Sequence, residues 1–339
     1  MREPRPHTLE LVCPAGSLPA LKAAVDAGAD AVYIGLRGET NARNFPGLNF
    51  HRRQAAEAVR YAHAAGARLF MALNTYPDPG RWPAAAQAVD TAVGVGADAL
   101  ILADLGLLHY AATHYPDQRL HLSVQASVTH RHAIALYAER FGVRRVVLPR
   151  VLSLPQVRRV VHNTPVEVEV FGFGSLCVMA EGRCGLSAYV TGSSPNQCGV
   201  CAPAQAVRWT ETPPAREVRL NGVLIDRFGP NEPAGYPVPC KGRFAVGRHV
   251  FHAIEEPTSL NVLDVLPELL RVGVRALKVE GRQRGVAYVR QVTETLREAI
   301  DHCQADPDSY SVKPGWLRIL DRHSEGRRHT LGALERPWQ

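Results

Sequence analysis

The sequence contains little lysine and no long apolar segment. Only four lysines stand among its 39 basic residues, so the formal net charge of +7 comes almost entirely from arginine. Scattered arginines are typical of an arginine-rich proteome, although a basic surface for nucleic acid or a small anion is the alternative. No stretch approaches the twenty apolar residues that a membrane span requires, so we expect no integral membrane segment.

A secretion signal and the common catalytic motifs are also missing. The start of the sequence, MREPRPHTLELV, lacks the apolar core and cleavage site of a signal peptide, so we expect a cytoplasmic protein. Its seven cysteines would stay reduced there, which favours metal binding or catalysis over disulfides. No GxGxxG, HExxH or GxSxG pattern occurs, which argues against a dinucleotide fold, a zinc peptidase and a serine hydrolase.

One phrase recurs along the chain: a helical run, a glycine and a short apolar strand. It occurs at 26–35, 64–73, 94–103, 140–149 and 271–280. The glycine stands where a helix end needs positive φ, and an apolar strand suits a parallel sheet buried on both faces. Further strands are predicted at 9–16, 119–127 and 165–174. Eight such units indicate a (β/α)₈ TIM-type barrel, with a doubly wound open sheet as the alternative.

The repeat is interrupted after the seventh strand. Residues 1–174 are predicted to form the first seven units, and 175–255 a loop-rich, cysteine-bearing insertion of short strands and turns on the carboxyl face of the barrel. The last unit, 256–304, would comprise a helix at Leu260–Arg271, a strand at Val274–Glu280 and a closing helix at Val286–Cys303. Residues 305–339 are polar and basic, which predicts a loosely packed tail.

Four cysteines of the insertion are candidate metal ligands, namely Cys177, Cys184, Cys201 and Cys240, with Cys198 close to the third. Structural zinc sites usually pair their ligands as two tight C-x₂₋₄-C knuckles, and only Cys198 and Cys201 are that close. Ligands from separated loops favour a [4Fe–4S] cluster, while zinc and buried unligated thiols remain alternatives. The apolar settings of Cys13 and Cys303 predict core positions.

The stretch E-x-F-x-x-G-S-L-C-x-x-x-x-G-x-C-x-L-S, from Glu169 to Ser187, resembles the signature of the collagenase-like U32 peptidase family. The phrases MAEGRC, YVTGSSPNQCGVC, NARNFPGLNF and LKVEGR resemble a branch of that family that acts in oxygen-independent ubiquinone biosynthesis. The similarity extends to about residue 303.

This resemblance implies a hydroxylase-type subunit. It would add hydroxyl groups to a ubiquinone precursor, with prephenate as donor, as a heterodimer with a paralogue. The resemblance also implies a [4Fe–4S] cluster on Cys177, Cys184, Cys201 and Cys240, with Cys198 as the competitor for the third position. Hydroxylation of tRNA uridine or rRNA is the main alternative, followed by a scaffold subunit and by peptidase activity. No run of aromatic and basic residues resembles an RNA-binding module, which favours the quinone over nucleic acid.

Polar residues at strand ends are the remaining candidates, because active sites of such barrels lie on that face. They are Asn74, Asp104, Gln125, Arg150, Glu280 and Arg282, with Arg43, Lys241 and Arg243 as possible partners of a dicarboxylate. Helix caps, barrel-rim salt bridges and solvated charges explain such residues better than a catalytic role does, so none is assigned to them.

Overall fold

The first seven strands and six helices alternate as predicted. The computed structural model describes residues 9–336; the eight residues before this range and the three after it lie outside the described part, including most of the segment that lacks a signal-peptide pattern. The strands are β1 (Glu10–Pro14), β2 (Ala31–Gly35), β3 (Arg68–Leu73), β4 (Ala99–Leu102), β5 (Leu120–Leu122), β6 (Val143–Val147) and β7 (Glu167–Ser175). The helices are α1 (Leu18–Asp26), α2 (Arg52–Ala64), α3 (Trp82–Gly94), α4 (Leu105–His114), α5 (Arg131–Phe141) and α6 (Leu154–His162).

Capping residues and glycines mark where these helices begin and end. Ser17 caps α1 by accepting a hydrogen bond from the Ala20 N–H over 3.4 Å, and Ser153 forms a capping box with Gln156 at the start of α6. The glycines of the recurring phrase all have positive φ, as the sequence predicts: Gly28, Gly66, Gly96, Gly142 and Gly273.

The insertion contains only short elements, again as predicted. They are α7 (Gly185–Thr191), α8 (Pro195–Cys198), β8 (Val207–Thr212), β9 (Ala215–Leu220), β10 (Val223–Phe228), β11 (Phe244–Val246) and β12 (His249–Phe251). Strands β8 to β10 form an antiparallel sheet with a small apolar core that includes Val218 and Ile225, while β11 and β12 form a separate hairpin.

The chain then returns to the barrel through β13 (Ser259–Asn261), α9 (Leu266–Val272), β14 (Ala276–Val279) and α10 (Val286–Ala305). The prediction of one helix over Leu260–Arg271 is wrong in its first part. Residues 259–261 pair antiparallel with the end of β7, and the Asn261 side chain accepts a hydrogen bond from the Leu263 N–H over 3.1 Å, which starts a turn before the helix. The apolar character of this segment suits both a strand and a helix, so the pattern alone did not separate them.

Strand β14 closes the barrel. It pairs in parallel with β1, where Glu10 stands opposite Ala276, and with β7, where Glu169 stands opposite Ala276. Every other neighbouring pair from β1 to β7 is also parallel. The fold is therefore the predicted (β/α)₈ TIM-type barrel, and its carboxyl face carries the insertion.

The segment after α10 is packed and not a loose tail. Helix α11 (Pro314–His323) buries Trp316 and Leu320, and β15 (His329–Thr330) pairs with β13. Apolar residues at helical spacing within this otherwise basic stretch explain the difference from the prediction. No helix within residues 9–336 combines the length and the apolar character needed to cross a bilayer.

The barrel interior contains both apolar and charged side chains. Val12, Tyr33 and Phe70 belong to its apolar cluster. Fully buried Arg145, whose guanidinium carbon lies 5.8 Å from the centre of the Phe70 ring, donates hydrogen bonds to Glu167 (2.7 Å), Glu169 (3.1 Å) and Glu10 (2.7 Å). Each of these carboxylates contacts a second cation: Lys278 for Glu169, Arg119 for Glu167, and Arg68 and Arg275 for Glu10. These ion pairs offset the free-energy cost of removing the charges from water.

Candidate metal centre

Cys177 and Cys184 lie at the two ends of a tight loop that follows β7. Cys184 is the N-cap residue of α7. Between them, Gly182 has a φ of 78°, and a Cβ there would lie 1.9 Å from the carbonyl oxygen of Gln125. Only glycine fits this position. The loop is thus pressed against the turn after β5, which holds both cysteines at the carboxyl face of the barrel.

Cys201 and Cys240 reach the same face from later parts of the insertion. Cys201 follows α8, and the Arg43 N–H of the β2–α2 loop donates to the Gly199 carbonyl over 2.6 Å, which anchors the preceding segment. Cys240 stands in the 3₁₀ turn Pro239–Lys241, which α7 contacts. All four thiols are free and partly buried.

Burial is the main cause of a raised pKa at three of these thiols. It raises the pKa of Cys201 to about 11 and that of Cys240 to about 12, with the charges of neighbouring cysteines acting in the same direction. Burial also raises the pKa of Cys177. Helix α7, which Cys184 caps, contacts the turn that carries Cys240, so these two segments meet on the same face.

Three cations oppose these shifts. Arg43 lowers the pKa of Cys201 and Lys241 that of Cys240 against the effect of burial, while Arg150 lowers the pKa of Cys177 against burial and the charge of Glu181. Positive charge beside a thiol favours the thiolate, which is the form that binds metals. Burial still outweighs these cations, so the pKa values of Cys177, Cys201 and Cys240 remain raised in the metal-free chain.

The side chains as placed do not form a site for a single metal ion. Within the described part of the chain, no three His, Cys, Asp or Glu side chains are placed to hold one metal ion. The four thiols are nevertheless of the ligand type that both zinc and an iron–sulfur cluster bind.

Glu181, between the first two cysteines, is a site residue that sequence reasoning missed. It is 3% exposed, and its Oε1 accepts a hydrogen bond from Arg150 Nε over 2.7 Å. Its Oε2 has no hydrogen-bond partner among the described residues. Burial raises the pKa of Glu181 in spite of the opposing charge of Arg150. In the sequence, its place in the phrase MAEGRC was the signal that could have indicated a role at the site.

The phrases NARNF and LKVEGR, far apart in sequence, meet beside Cys201. Arg43 Nε lies 3.1 Å from Glu280 Oε1, and Arg282 Nη1 donates to Asn41 Oδ1 over 2.8 Å. Burial would raise the pKa of Glu280, but Arg43 and Arg150 outweigh it and hold that pKa at about 2. Arg43 itself has a φ of 81°, which is costly for a residue with a side chain.

Two predicted candidates have structural roles. Asp104 caps α4, since its Oδ1 accepts a hydrogen bond from the Leu107 N–H over 3.0 Å. Arg243 pairs with Asp226 and Glu232 inside the insertion. Neither side chain takes part in the contacts around the cysteines.

Three other candidates support the loops around the site. Asn74 accepts a hydrogen bond from the Ala42 N–H over 3.0 Å, which fixes the NARNF segment. Gln125 contributes its backbone carbonyl, which accepts from the Tyr76 hydroxyl over 2.7 Å. Lys241 pairs with Glu325 of the C-terminal segment, a contact that no sequence pattern indicated.

The model of the U32 peptidase family matches residues 16–334, nearly the whole of the chain. The chain belongs to peptidase family U32. Its relatives include proteins named for tRNA hydroxylation as well as proteins named as proteases. The family predicted from Glu169–Ser187 is therefore confirmed.

Three U32 relatives illustrate this range. The tRNA hydroxylation protein P of Escherichia coli (strain K12) is 30% identical over 96% of this chain and 74% of its own length. The tRNA hydroxylation protein P1 of Bacillus subtilis (strain 168) is 29% identical over 92% of this chain and 68% of its own length. The collagenase of Porphyromonas gingivalis is 27% identical over 90% of this chain and 69% of its own length. The chain thus spans about two thirds to three quarters of these relatives.

Proposed function

We propose that this chain is an oxygen-independent hydroxylation protein that holds a [4Fe–4S] cluster on Cys177, Cys184, Cys201 and Cys240. The observation that carries this proposal is the set of four partly buried thiols at the carboxyl face of the barrel, beside three cations. The hydroxylation proteins among its relatives support the reaction class. A bound cluster supplies one-electron chemistry.

The residues of the chain itself have three tasks in this proposal. Arg43, Arg150 and Lys241 offset the negative charge of the thiolates and of the cluster. Gly182 and its neighbours let the backbone lie close to the site. Glu181, buried and with one free oxygen, can hold a proton next to the reaction space.

RNA is the substrate class that the comparisons support more strongly. Both relatives named above for hydroxylation act, by their names, on tRNA. The arginine-derived net charge of +7 suits a polyanion. Uridine in tRNA or a base in rRNA would then be the target.

A ubiquinone precursor is the second candidate, and a different observation favours it. The phrases that resemble UbiU, the ubiquinone-biosynthesis member of the family, include NARNF and LKVEGR, which contact each other beside Cys201. In that case the chain would form a heterodimer with a UbiV-like paralogue, and prephenate would donate the hydroxyl group.

The insertion supports a partner on this face. Its exposed apolar side chains include Tyr189 on α7 (92% exposed) and the neighbouring Val250 (69%) and Phe251 (47%) on β12. A partner that covers such side chains would remove their apolar surface from water. Co-expression with the paralogue should therefore raise the yield and the cluster content, and a Val250→Ser/Phe251→Ser variant should lose that gain.

One experiment separates the two substrates. The gene is deleted, the cells are grown without oxygen, and mass spectrometry compares their quinones and the nucleosides of their digested RNA with those of the parent. Loss of one modified nucleoside with normal quinone identifies RNA, whereas loss of ubiquinone identifies the quinone. Complementation with a Cys177→Ala variant tests the cluster, because restoration of the missing product by that variant would contradict its role.

A further inference from the structure

The C-terminal segment reaches back to the cysteine face. The Ser259 N–H donates to the Arg328 carbonyl over 3.0 Å, and the Glu325 N–H donates to Ser259 Oγ over 2.9 Å. Gly326 has a φ of 59°, and a Cβ there would lie 2.5 Å from the Pro257 carbonyl oxygen. The turn at 325–327 is therefore fixed against the segment through which the chain returns from the insertion.

The Glu325 side chain joins two other segments. One of its oxygens accepts a hydrogen bond from Ser175 Oγ, and the other accepts one from Lys241 Nζ. Ser175 precedes Cys177 by two residues, and Lys241 directly follows Cys240. Only 9% of the Lys241 side chain and 19% of that of Glu325 are exposed, so solvent screens this ion pair less than a surface pair.

We propose that Glu325 is a positioning residue that holds the Cys177 and Cys240 segments together. The two segments come from opposite ends of the insertion, and Glu325 contacts both through one carboxylate. Without it, Lys241 loses its ion-pair partner and the turn around Cys240 loses a link to the barrel. The inference rests on the proposed function, which identifies the metal site. It adds that the C-terminal segment sets part of the geometry of that site.

Backbone hydrogen exchange of the metal-free, full-length chain tests the contact directly. In Glu325→Ala, amides in peptides spanning 175–184 and 238–242 should exchange about tenfold faster than in the wild type. The reason is that local opening of these segments no longer requires breaking the Glu325 contacts and therefore costs less free energy. Peptides from α3 should be unchanged. Glu298→Ala, which removes an exposed ion pair with Lys313, is the matched control and should alter neither region. Unchanged exchange at both cysteine segments, or equal acceleration in α3, would overturn the proposal.

A double-mutant cycle shows whether Lys241 and Glu325 act as a pair. Glu325→Gln and Lys241→Met keep the side-chain size, so both should fold even if Glu325→Ala does not. If the two residues act through each other, the double variant should exchange no faster than the more affected single variant. Additive acceleration would assign the two residues separate structural roles and contradict the proposal.

Cluster content links this contact to the metal site. After anaerobic reconstitution with limiting iron and sulfide, Glu325→Ala should retain several-fold less iron per chain than Glu298→Ala. Equal iron in both variants would contradict a role of Glu325 in the site. If the wild type itself binds no cluster, the proposed function fails, and the exchange experiment still decides whether Glu325 holds the two segments.

Discussion

Arg43 and Glu280 form an ion pair across the mouth of the barrel, with Arg43 Nε 3.1 Å from Glu280 Oε1. Arg43 comes from the β2–α2 loop, and Glu280 directly follows β14, the strand that closes the barrel. The ion pair therefore links the first and the last part of the barrel. Glu280 is 5% exposed. A carboxylate this deeply buried stays ionised only because cations surround it.

The first prediction concerns the acid stability that Glu280 confers. Its folded-state pKa of about 2 lies below the ordinary 4.5, because Arg43 and Arg150 outweigh burial. The stabilisation is therefore complete above about pH 4.5 and disappears as the pH falls towards 2. Glu280→Gln should lower the free energy of unfolding at pH 7 by about 3–5 kcal/mol, since it breaks a buried pair. It should also flatten the pH profile between 4.5 and 2.

Denaturant titrations of the metal-free chain from pH 7 to pH 2 measure both effects. Glu139→Gln is the matched control, because Glu139 is exposed on α5 and no described residue pairs with it. It should change the free energy of unfolding by less than about 0.5 kcal/mol. A pH profile of Glu280→Gln as steep as that of the wild type would contradict the assignment.

The second prediction concerns the four cysteines. Anaerobically purified protein should be brown and contain about four irons and four sulfides per chain. Alanine at Cys177, Cys184, Cys201 or Cys240 should abolish most of this iron, whereas Cys198→Ala should keep it. Iron, sulfide and zinc analysis checks the outcome. Colourless protein with one zinc per chain would refute the cluster. Loss of iron in Cys198→Ala together with retention of iron in Cys201→Ala would show that Cys198, and not Cys201, is the third ligand.

The third prediction concerns the loop between Cys177 and Cys184. Gly182→Ala places a methyl group against the Gln125 carbonyl at positive φ, so the loop must move and the cluster content should fall several-fold. Gly185→Ala is the matched control, since no atom lies within 4 Å of a Cβ there and the residue begins α7. Iron content and melting temperature of the two variants give the comparison. Equal iron in both would show that the loop tolerates the displacement.

The fourth prediction concerns the charged side chains of the barrel interior. Arg145→Met removes a buried cation from three carboxylates, and we expect the free energy of unfolding to fall by about 3–5 kcal/mol. Arg144→Met changes the exposed neighbour on the same strand and should cost less than about 0.5 kcal/mol. Urea denaturation of both variants measures the difference. Similar losses for the two would mean that the charge network adds little stability.

The barrel could be predicted because its signals are local. A helix end, a glycine with positive φ and an apolar strand recur within ten residues, and each unit carries this information independently. The interior charges could not be predicted in the same way. Arg145 stands among valines in its own strand, and its carboxylate partners belong to β1 and β7, so its environment depends on closure of the whole sheet.

The candidate site also combines residues that could be predicted with residues that could not. The cysteines could be named as candidate ligands from residue type, spacing and resemblance, because metal ligands are limited to a few side chains. Glu325 could not, since it lies in a stretch without a motif and its side-chain partners, Ser175, Lys241 and Arg284, are distant in sequence. The predicted helix Leu260–Arg271 included two residues of β13, because the strand partner of that segment, the end of β7, is distant in sequence.

Ser175 and Ser259 stand opposite each other in the antiparallel pairing of β7 with β13. The chain therefore leaves the barrel and re-enters it at neighbouring points, although all of 176–258 lies between them. Because its two ends are adjacent, a replacement segment of different length can join the same two strands, at a loop-closure cost that grows only slowly with length. Grafting the corresponding segment of another family member between these two serines would preserve the barrel while replacing five cysteines and the outer surface around them in one step. Such grafts offer a direct route to learning which half of the molecule selects the substrate.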